Sequence, residues 1–254
     1  MTGLEPSPPP VAPHQPLREF YADPTTRPTW VRGMFDRTAH HYDWISSAMS
    51  FGSDKWYRQH TLEEAGLQPG LRVLDVATGT GLVAAGALAL GLPPKDVVGL
   101  DPSFGMLVEN RRLRPIPLLR AMGETLPLRS ESFDFVTMGY ALRHVADLVA
   151  LFAEFRRVLK PGGKVLILEI TRPTSRLAMA GMRFYMRGVV PGLARLRRDP
   201  ELARLMEYYW ATIEACVPPA TILDALGQAG LAEPRRGVYG GIFSQYTAHR
   251  QRAR

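Results

Sequence analysis

The chain has one cysteine, Cys216, in 254 residues. That excludes an intrachain disulfide and any multi-cysteine metal site, and the expected setting is a reducing cytoplasm. Lysine is also scarce: with only Lys55, Lys95, Lys160 and Lys164, almost all the basic charge is arginine. Nowhere are there the ~20 consecutive apolar residues that span a bilayer. The start of the chain lacks the basic residues and the unbroken apolar run of a secretory signal. No repeat is visible, and no metal is expected.

What is present suits a folded domain. A hydrophobic content of 46% over this length can bury a full core in one domain with insertions. The first 28 residues differ in kind, with Pro6, Pro8, Pro9, Pro10, Pro13, Pro16, Pro24 and Pro28 and little apolar periodicity. Residues 1–28 are therefore expected to be a disordered or extended tail, and residues 29–254 the domain. The net charge of +7 suggests nucleic acid, but the excess is local. Arg172, Arg176, Arg183, Arg187, Arg195, Arg197 and Arg198 fall in one stretch with no acid before Asp199.

From Leu71 onward, short apolar runs alternate with helical stretches. Leu71 to Val76, Val97 to Leu100, Phe133 to Tyr140 and Lys164 to Ile170 are predicted to be buried strands. Gly81 to Leu90, a helix capped by Ser103 and running to Leu113, and Ala146 to Leu159 lie between them, the last stopped by Pro161-Gly162-Gly163. This alternation predicts an α/β fold, a mostly parallel sheet wound on both faces with ligands at the carboxyl ends of its strands. Residues 174–216 carry no strand pattern and are predicted to be an inserted helical lid. A helix over Thr221 to Ala229 and a hairpin of Leu231 to Val238 and Gly241 to Ala248 close the chain.

The run Val73-Leu74-Asp75-Val76-Ala77-Thr78-Gly79-Thr80-Gly81 puts an acid at the end of the first strand and glycines in the turn after it. Glycines allow close backbone approach, the next helix N-terminus offers free amides to a carboxylate, and an acid suits a cationic amine or sulfonium. Asp101 ends the next strand, where it can accept from two ribose hydroxyls. Gly79-Thr80-Gly81-Leu82-Val83-Ala84 also matches a dinucleotide pattern. Two features favour S-adenosylmethionine: Asp75 precedes the first glycine by four residues, and Gly123-Glu124-Thr125-Leu126-Pro127 precedes Phe133-Asp134-Phe135-Val136.

Motifs outside the generic fold are more specific. These are Met34-Phe35-Asp36-Arg37-Thr38-Ala39, Tyr42-Asp43, Met49-Ser50-Phe51-Gly52, Trp56 and Ala141-Leu142-Arg143-His144-Val145. With Val158-Leu159-Lys160-Pro161-Gly162-Gly163 and Leu168-Glu169-Ile170, the chain resembles the UbiE/Coq5/MenG family of quinone-biosynthesis C-methyltransferases from about Met34 to Ala232. The resemblance implies a class I S-adenosylmethionine-dependent methyltransferase with a seven-stranded sheet. It implies cofactor contacts at Thr80, Asp101, Met122, Gly123 and Gly139, and Asp75, Thr78, Gly79, Gly81 and Met106 complete the expected set. Substrate contacts are implied for Tyr42 and the Arg143 region, and Phe51, Tyr208 and Trp210 are further candidates; Tyr208, Tyr209, Trp210 and Ile213 are read either as core or as the lining of an aromatic pocket. Leu82, Met122, Gly139 and His144 depart from the family, which usually has an acid, Asn or Asp, Ser, and Asn at those places.

Methylation of an aromatic carbon needs a ring hydroxyl deprotonated beside it. Arg143 is the expected phenolate partner, with His144 or Tyr42 as proton acceptor; His144 could instead merely fill the hydrogen-bonding place of the usual asparagine. The expected substrate is a small quinol-like or phenolic ring. Methylation of N, O or activated carbon in another small metabolite, and a non-catalytic basic RNA- or membrane-binding protein on the same fold, stay open. Arg176, Arg183 and Arg187 share a helical face opposite Ala178, Met182, Tyr185 and Val189, either a solvated stripe over a packed lid or an attachment to anionic lipid. Peripheral membrane contact through Arg172–Arg198 and a homodimer stay open as partner readings; nucleic acid is not expected.

Overall fold

The computed structural model describes residues 10–21, 23–50, 52–190, 192 and 200–252. Phe51, Arg195, Arg197 and Arg198 lie outside the described residues. Strands β1 (Val73–Val76), β2 (Val97–Leu100), β3 (Leu118–Leu119), β4 (Phe133–Gly139), β5 (Leu159–Ile170), β6 (Ala232–Tyr239) and β7 (Phe243–His249) form one sheet. Its order is β3-β2-β1-β4-β5-β7-β6. The first five strands are parallel, and β7 runs antiparallel to both β5 and β6. This is the expected doubly wound α/β sheet with a terminal hairpin. Every residue of β1 and β2 is buried, because helices cover both faces, and their apolar runs therefore do not alternate.

Nine helices are described: α1 (Arg27–Thr38), α2 (Tyr42–Met49), α3 (Asp54–Glu64), α4 (Leu82–Ala89), α5 (Phe104–Leu113), α6 (Leu148–Val158), α7 (Arg176–Phe184), α8 (Pro200–Ala215) and α9 (Pro219–Gln228). On one face of the sheet, Leu74, Val136 and Ile167 pack with Phe152, Phe155 and Leu226 of α6 and α9. On the other, Val73, Phe135 and Leu166 pack with Leu62, Val83 and Ala84 of α3 and α4. Ser103 caps α5 as expected, its Oγ accepting from the Met106 amide at 3.2 Å. The turn at Pro161-Gly162-Gly163 does not stop α6. Strand β5 starts at Leu159, paired with Phe133 before a register shift, so this turn lies inside the strand.

The predicted tail needs correction from residue 10 onward. The Val11 amide donates to the Asp147 carboxylate at 3.2 Å, the same carboxylate that caps α6 through Val149 at 2.9 Å. Phe20 and Tyr21 are buried with Val31, Met34, Leu205, Tyr208 and Trp210 in a third core, shared by the N-terminal segment and the inserted helices. Proline spacing hides this packing because the anchors, Phe20 and Tyr21, sit between prolines with no helical or strand period around them.

The insertion is unevenly held. Helix α8 buries eight residues, whereas α7 buries none. Past α7 a π-turn, Tyr185–Val189, shifts the helical phase. The inward residues are Met182, Tyr185 and Met186, while Ala178 and Val189, expected to face inward, stand exposed.

Candidate active site

The carboxyl ends of β1, β2 and β4 open into a cavity of about 820 Å³. Val76, Ala77, Asp101, Met106, Met122, Gly123 and Gly139 line the sheet side, and Val31, Phe35 and Tyr42 close it from the N-terminal helices. Those helices are pinned to the sheet. The Asp36 carboxylate accepts from Ser103 Oγ at 2.6 Å and from the Gly105 amide at 2.9 Å. A Cβ on Gly105 would sit 2.6 Å from the Asp36 carbonyl oxygen, so only glycine admits α1 this close to α5. Asp43 likewise accepts from the Thr80 hydroxyl.

Asp101 is the buried carboxylate of this cavity. Its two oxygens accept from the Gly79 and Ser103 amides, each at 2.8 Å, which leaves lone pairs for a pair of ribose hydroxyls. Burial pushes its carboxyl up to about 6, against the pull of those amides. Asp75 has a different job from the one expected. It is fully buried, does not line the cavity, and accepts from Thr78 Oγ1 at 2.6 Å and Thr137 Oγ1 at 2.7 Å. Burial raises it to about 6 as well. Asp75 thus ties the glycine turn to β4 rather than facing a sulfonium.

Thr78, Gly79, Thr80 and Gly81 are not among the residues that line the cavity, although the Gly79 amide donates to Asp101, which does. Both glycines have left-handed backbones, with φ 55° and 89°. A Cβ on Gly81 would come within 2.6 Å of the Arg114 side chain. Thus the turn needs glycine for its conformation and for packing against α5. Of the expected cofactor residues, the cavity brings together Asp101, Met106, Met122, Gly123 and Gly139.

A second cavity of about 810 Å³ lies beyond a wall made by Tyr42 and Tyr140, which line both. Ile45, Met49, Ile170, Met182, Met186 and Ile213 make it largely apolar, and Tyr209 and Arg143 reach it from α8 and from the loop after β4. The Tyr209 hydroxyl donates to the Tyr42 hydroxyl at 2.9 Å. Burial raises the Tyr42 hydroxyl above its ordinary value, so it stays protonated and can donate in turn.

Arg143 is 1% exposed and heavily engaged. Its Nε donates to Glu169 Oε1 at 2.8 Å, Nη1 to Thr212 Oγ1 at 2.8 Å and to the Tyr209 carbonyl at 3.3 Å, and Nη2 to the Tyr140 carbonyl at 3.4 Å. Its cation also lies 5.6 Å from the Tyr209 ring centroid. Most of the fork expected to hold a phenolate therefore holds α8 and the end of β5. His144 lines the cofactor-side cavity, with Nδ1 3.2 Å from the Tyr208 hydroxyl and Nε2 buried without a partner. Burial, with Arg143 and Arg27 nearby, holds its pKa well below the ordinary value, so the ring is neutral and weakly basic.

Tyr208 and Trp210 line neither cavity. They are core, Tyr208 packing edge-on to Trp30 at 5.0 Å and to Phe20 at 5.3 Å. Sequence reasoning missed Ser46, Asp54, Arg58 and Tyr140 in the second cavity. Asp54 and Arg58 lie four residues apart on α3, a helical ion-pair spacing. Tyr140 has φ 59°, unusual for an aromatic residue, and the sequence gives no sign of it.

A doubly wound sheet closed by an antiparallel hairpin, with an acid after β2 over a cavity at the carboxyl edge, is the arrangement expected of a class I S-adenosylmethionine-dependent methyltransferase. The model of the ubiE/COQ5 methyltransferase family matches residues 24–246, and the chain belongs to that family. A Syntrophotalea carbinolica protein named ubiquinone/menaquinone biosynthesis C-methyltransferase UbiE is 37% identical over 87% of this chain and 94% of its own. A demethylmenaquinone methyltransferase of a Mycobacterium species is 34% identical over 87% of this chain and 94% of its own. Among solved structures, a S-adenosylmethionine-dependent methyltransferase from Thermotoga maritima shares the fold, with a TM-score of 0.61 at 20% identity over 86% of this chain and 99% of that one.

Proposed function

We propose that this methyltransferase alkylates a ring carbon of a quinol-like or phenolic acceptor. The observation that carries the reading is the shared wall: Tyr42 and Tyr140 face the cofactor-side cavity on one side and the apolar cavity on the other. A ring with an apolar substituent suits a cavity lined largely by isoleucine and methionine, whereas a small charged amine would lose its hydration there and find the Asp54 carboxylate already paired with Arg58. The names of the Syntrophotalea and Mycobacterium relatives, which refer to quinone biosynthesis and to demethylmenaquinone, agree with this chemistry.

S-adenosylmethionine supplies an electrophilic methyl group, and Asp101, Met106, Met122, Gly123 and Gly139 are the residues that would hold it. In-line transfer then depends on holding the acceptor carbon about 3 to 3.5 Å from that methyl in a dry site. The acceptor hydroxyl gives its proton to solvent, and the Tyr42 hydroxyl, its oxygen accepting from Tyr209, donates to the resulting phenolate oxygen; after methyl transfer the ring-carbon proton leaves to water and the aromatic ring is restored. Arg143 acts as a positioning residue, fixing Tyr209 through its carbonyl and ring. His144 is too weak a base to take a phenolic proton and serves as a hydrogen-bonding and packing group in the wall.

Peripheral contact with an anionic membrane belongs to the same reading, because an apolar acceptor would be delivered from lipid. No described helix is long and apolar enough to cross a membrane. What supports surface contact is α7, where Leu177 and Phe184 share a face at 84% and 73% exposure beside Arg176, Arg183 and Arg187. Incubation with labelled S-adenosylmethionine and a panel of alkylated quinols and phenols, read by mass spectrometry, tests the proposal. A ring-methylated product is expected; a panel without turnover, or one methylated only on oxygen, overturns it.

A further inference from the structure

One charged cluster in the acceptor-side cavity has no part in the chemistry above. Arg58 and Asp54 form an ion pair whose side chains are 5% and 12% exposed, in a cavity that Ile45, Met49 and Phe243 also line. Ser46 completes it, donating to Asp54 Oδ2 at 3.0 Å and accepting from Arg58 Nη2 at 3.1 Å. A buried ion pair is a poor device for stability, since apolar residues of similar volume usually serve as well or better. Its place in an apolar cavity points to recognition.

Two further observations say where it acts. The Arg58 guanidinium lies over the Tyr140 ring, 5.1 Å from its centroid, and Tyr140 belongs to the wall between the two cavities. Arg58 Nε and the Tyr140 hydroxyl are also both buried without a hydrogen-bond partner. Unsatisfied polar atoms on neighbouring residues of a ligand-sized cavity call for a polar ligand group.

We infer that Asp54, Arg58 and Tyr140 bind the second ring oxygen of the acceptor, the one remote from the Tyr42 hydroxyl, and so select dihydroxy rings over monohydroxy ones. This rests on the quinol-like reading above and names the residues that make it selective. Arg58 and Tyr140 donate to the oxygen, and the carboxylate of Asp54 accepts its hydrogen. Burial works to raise the Asp54 carboxyl, but the Arg58 charge and the hydrogen bonds outweigh it and hold the group below its ordinary value, so it is ionised at neutral pH. In a para-dihydroxy ring this oxygen lies meta to the reacting carbon and lends it no resonance stabilisation. The cluster therefore governs acceptor binding and leaves the methyl-transfer step nearly unchanged.

The test uses the full chain with a prenylated hydroquinone and with the prenylated phenol that lacks the second hydroxyl. Wild type is expected to show a KM for the hydroquinone roughly ten- to hundredfold below that for the phenol, with similar kcat, as for hydrogen bonds to charged groups. Arg58→Met should bring the two KM values together. Since that variant leaves Asp54 buried without its partner, the double variant Asp54→Asn with Arg58→Met, which removes both charges, is measured beside it. Unchanged S-adenosylmethionine affinity by calorimetry shows that each variant is folded. A wild type that methylates both rings with equal KM, or a double variant that keeps the full preference, overturns the assignment alone. A wild type that methylates neither ring overturns the quinol-like reading and the assignment together.

Discussion

The Tyr209 hydroxyl donates to the Tyr42 hydroxyl across 2.9 Å, joining inserted helix α8 to N-terminal helix α2 at the wall between the two cavities. Neither segment belongs to the generic sheet, so in the proposed reading the fold supplies the methyl-donor side while the added helices supply the acceptor side. If the pair acts as a unit, Tyr42→Phe and Tyr209→Phe should each slow single-turnover methyl transfer by about tenfold, the worth of one hydrogen bond. The double variant should be little worse than either. Multiplying effects would mean that the hydroxyls act separately.

The Asp101 carboxyl, raised to about 6 by burial, predicts a pH dependence for cofactor binding. In the proposed site the ribose hydroxyls donate to the carboxylate, so binding requires the ionised form. Affinity for S-adenosylmethionine should be flat above pH about 6 and fall by up to about tenfold per unit below it. The sign for stability is opposite. With its folded pKa raised, Asp101 takes up a proton more readily folded than unfolded, so its burial costs stability above about 6 and the cost is relieved as pH falls toward the ordinary carboxylate range. Calorimetric titration across this range checks the first effect, and Asp101→Asn should abolish the slope.

His144 gives a third expectation. Its pKa is held well below the usual value, so the ring is already neutral at working pH, and its titration should leave no limb in the rate profile near neutrality. The rate should instead rise through the acceptor's own phenolic pKa, near ~10. His144→Asn should retain the shape of that profile, with turnover changed by less than the ~10² expected for loss of a general base. A limb near neutrality that disappears in His144→Asn would restore histidine as the proton acceptor.

Arg143→Met leaves Glu169, fully buried, without its counter-charge. Breaking a buried pair in this way costs ~3 to 5 kcal/mol, so urea denaturation should show one of the largest losses of any single substitution here. Arg143→Lys keeps the charge but not the planar fork that spans Glu169, Thr212 and Tyr209, and it should recover only part of the loss. Wild-type stability in Arg143→Met would contradict the positioning role.

Helix α7, with no buried residue, should exchange its amides far faster than α8. Arg183 and Arg187 both pair with Glu214, but the pairs are exposed and hold the helix weakly. Vesicles of anionic phospholipid should slow exchange in α7 at low salt, and Leu177→Ser with Phe184→Ser should remove that protection. Exchange unaffected by vesicles would leave the arginines as a solvated stripe.

The strands, the glycine turn and the acid at the end of β2 were legible because each depends on local sequence: apolar runs, left-handed backbone, an acid at a strand end; the Arg143-His144 pair stood out only through the family resemblance, and local sequence did not show what either residue contacts. Roles set by register were not. Tyr208, Tyr209 and Trp210 are consecutive on α8, each turned about 100° from the last, so their composition does not say which one faces the cavity. Asp75 was recognisable, but its role depends on Thr137, which reaches it only through the β1–β4 pairing. The Asp54–Arg58 pair carries an ordinary helical spacing, and only the closure of α2 and α3 over the sheet gives it an apolar cavity to act in.

The central claim is transfer of a methyl group to a ring carbon, and the fate of the hydrogen on that carbon tests it most directly. A prenylated hydroquinone deuterated at its free ring positions is incubated with the full-length enzyme and methyl-labelled S-adenosylmethionine, and the product is analysed by mass spectrometry and NMR. The account predicts a product that gains one labelled methyl and loses one ring deuteron to water, with both hydroxyls intact. A labelled product that retains every ring deuteron would place the methyl on oxygen and contradict it.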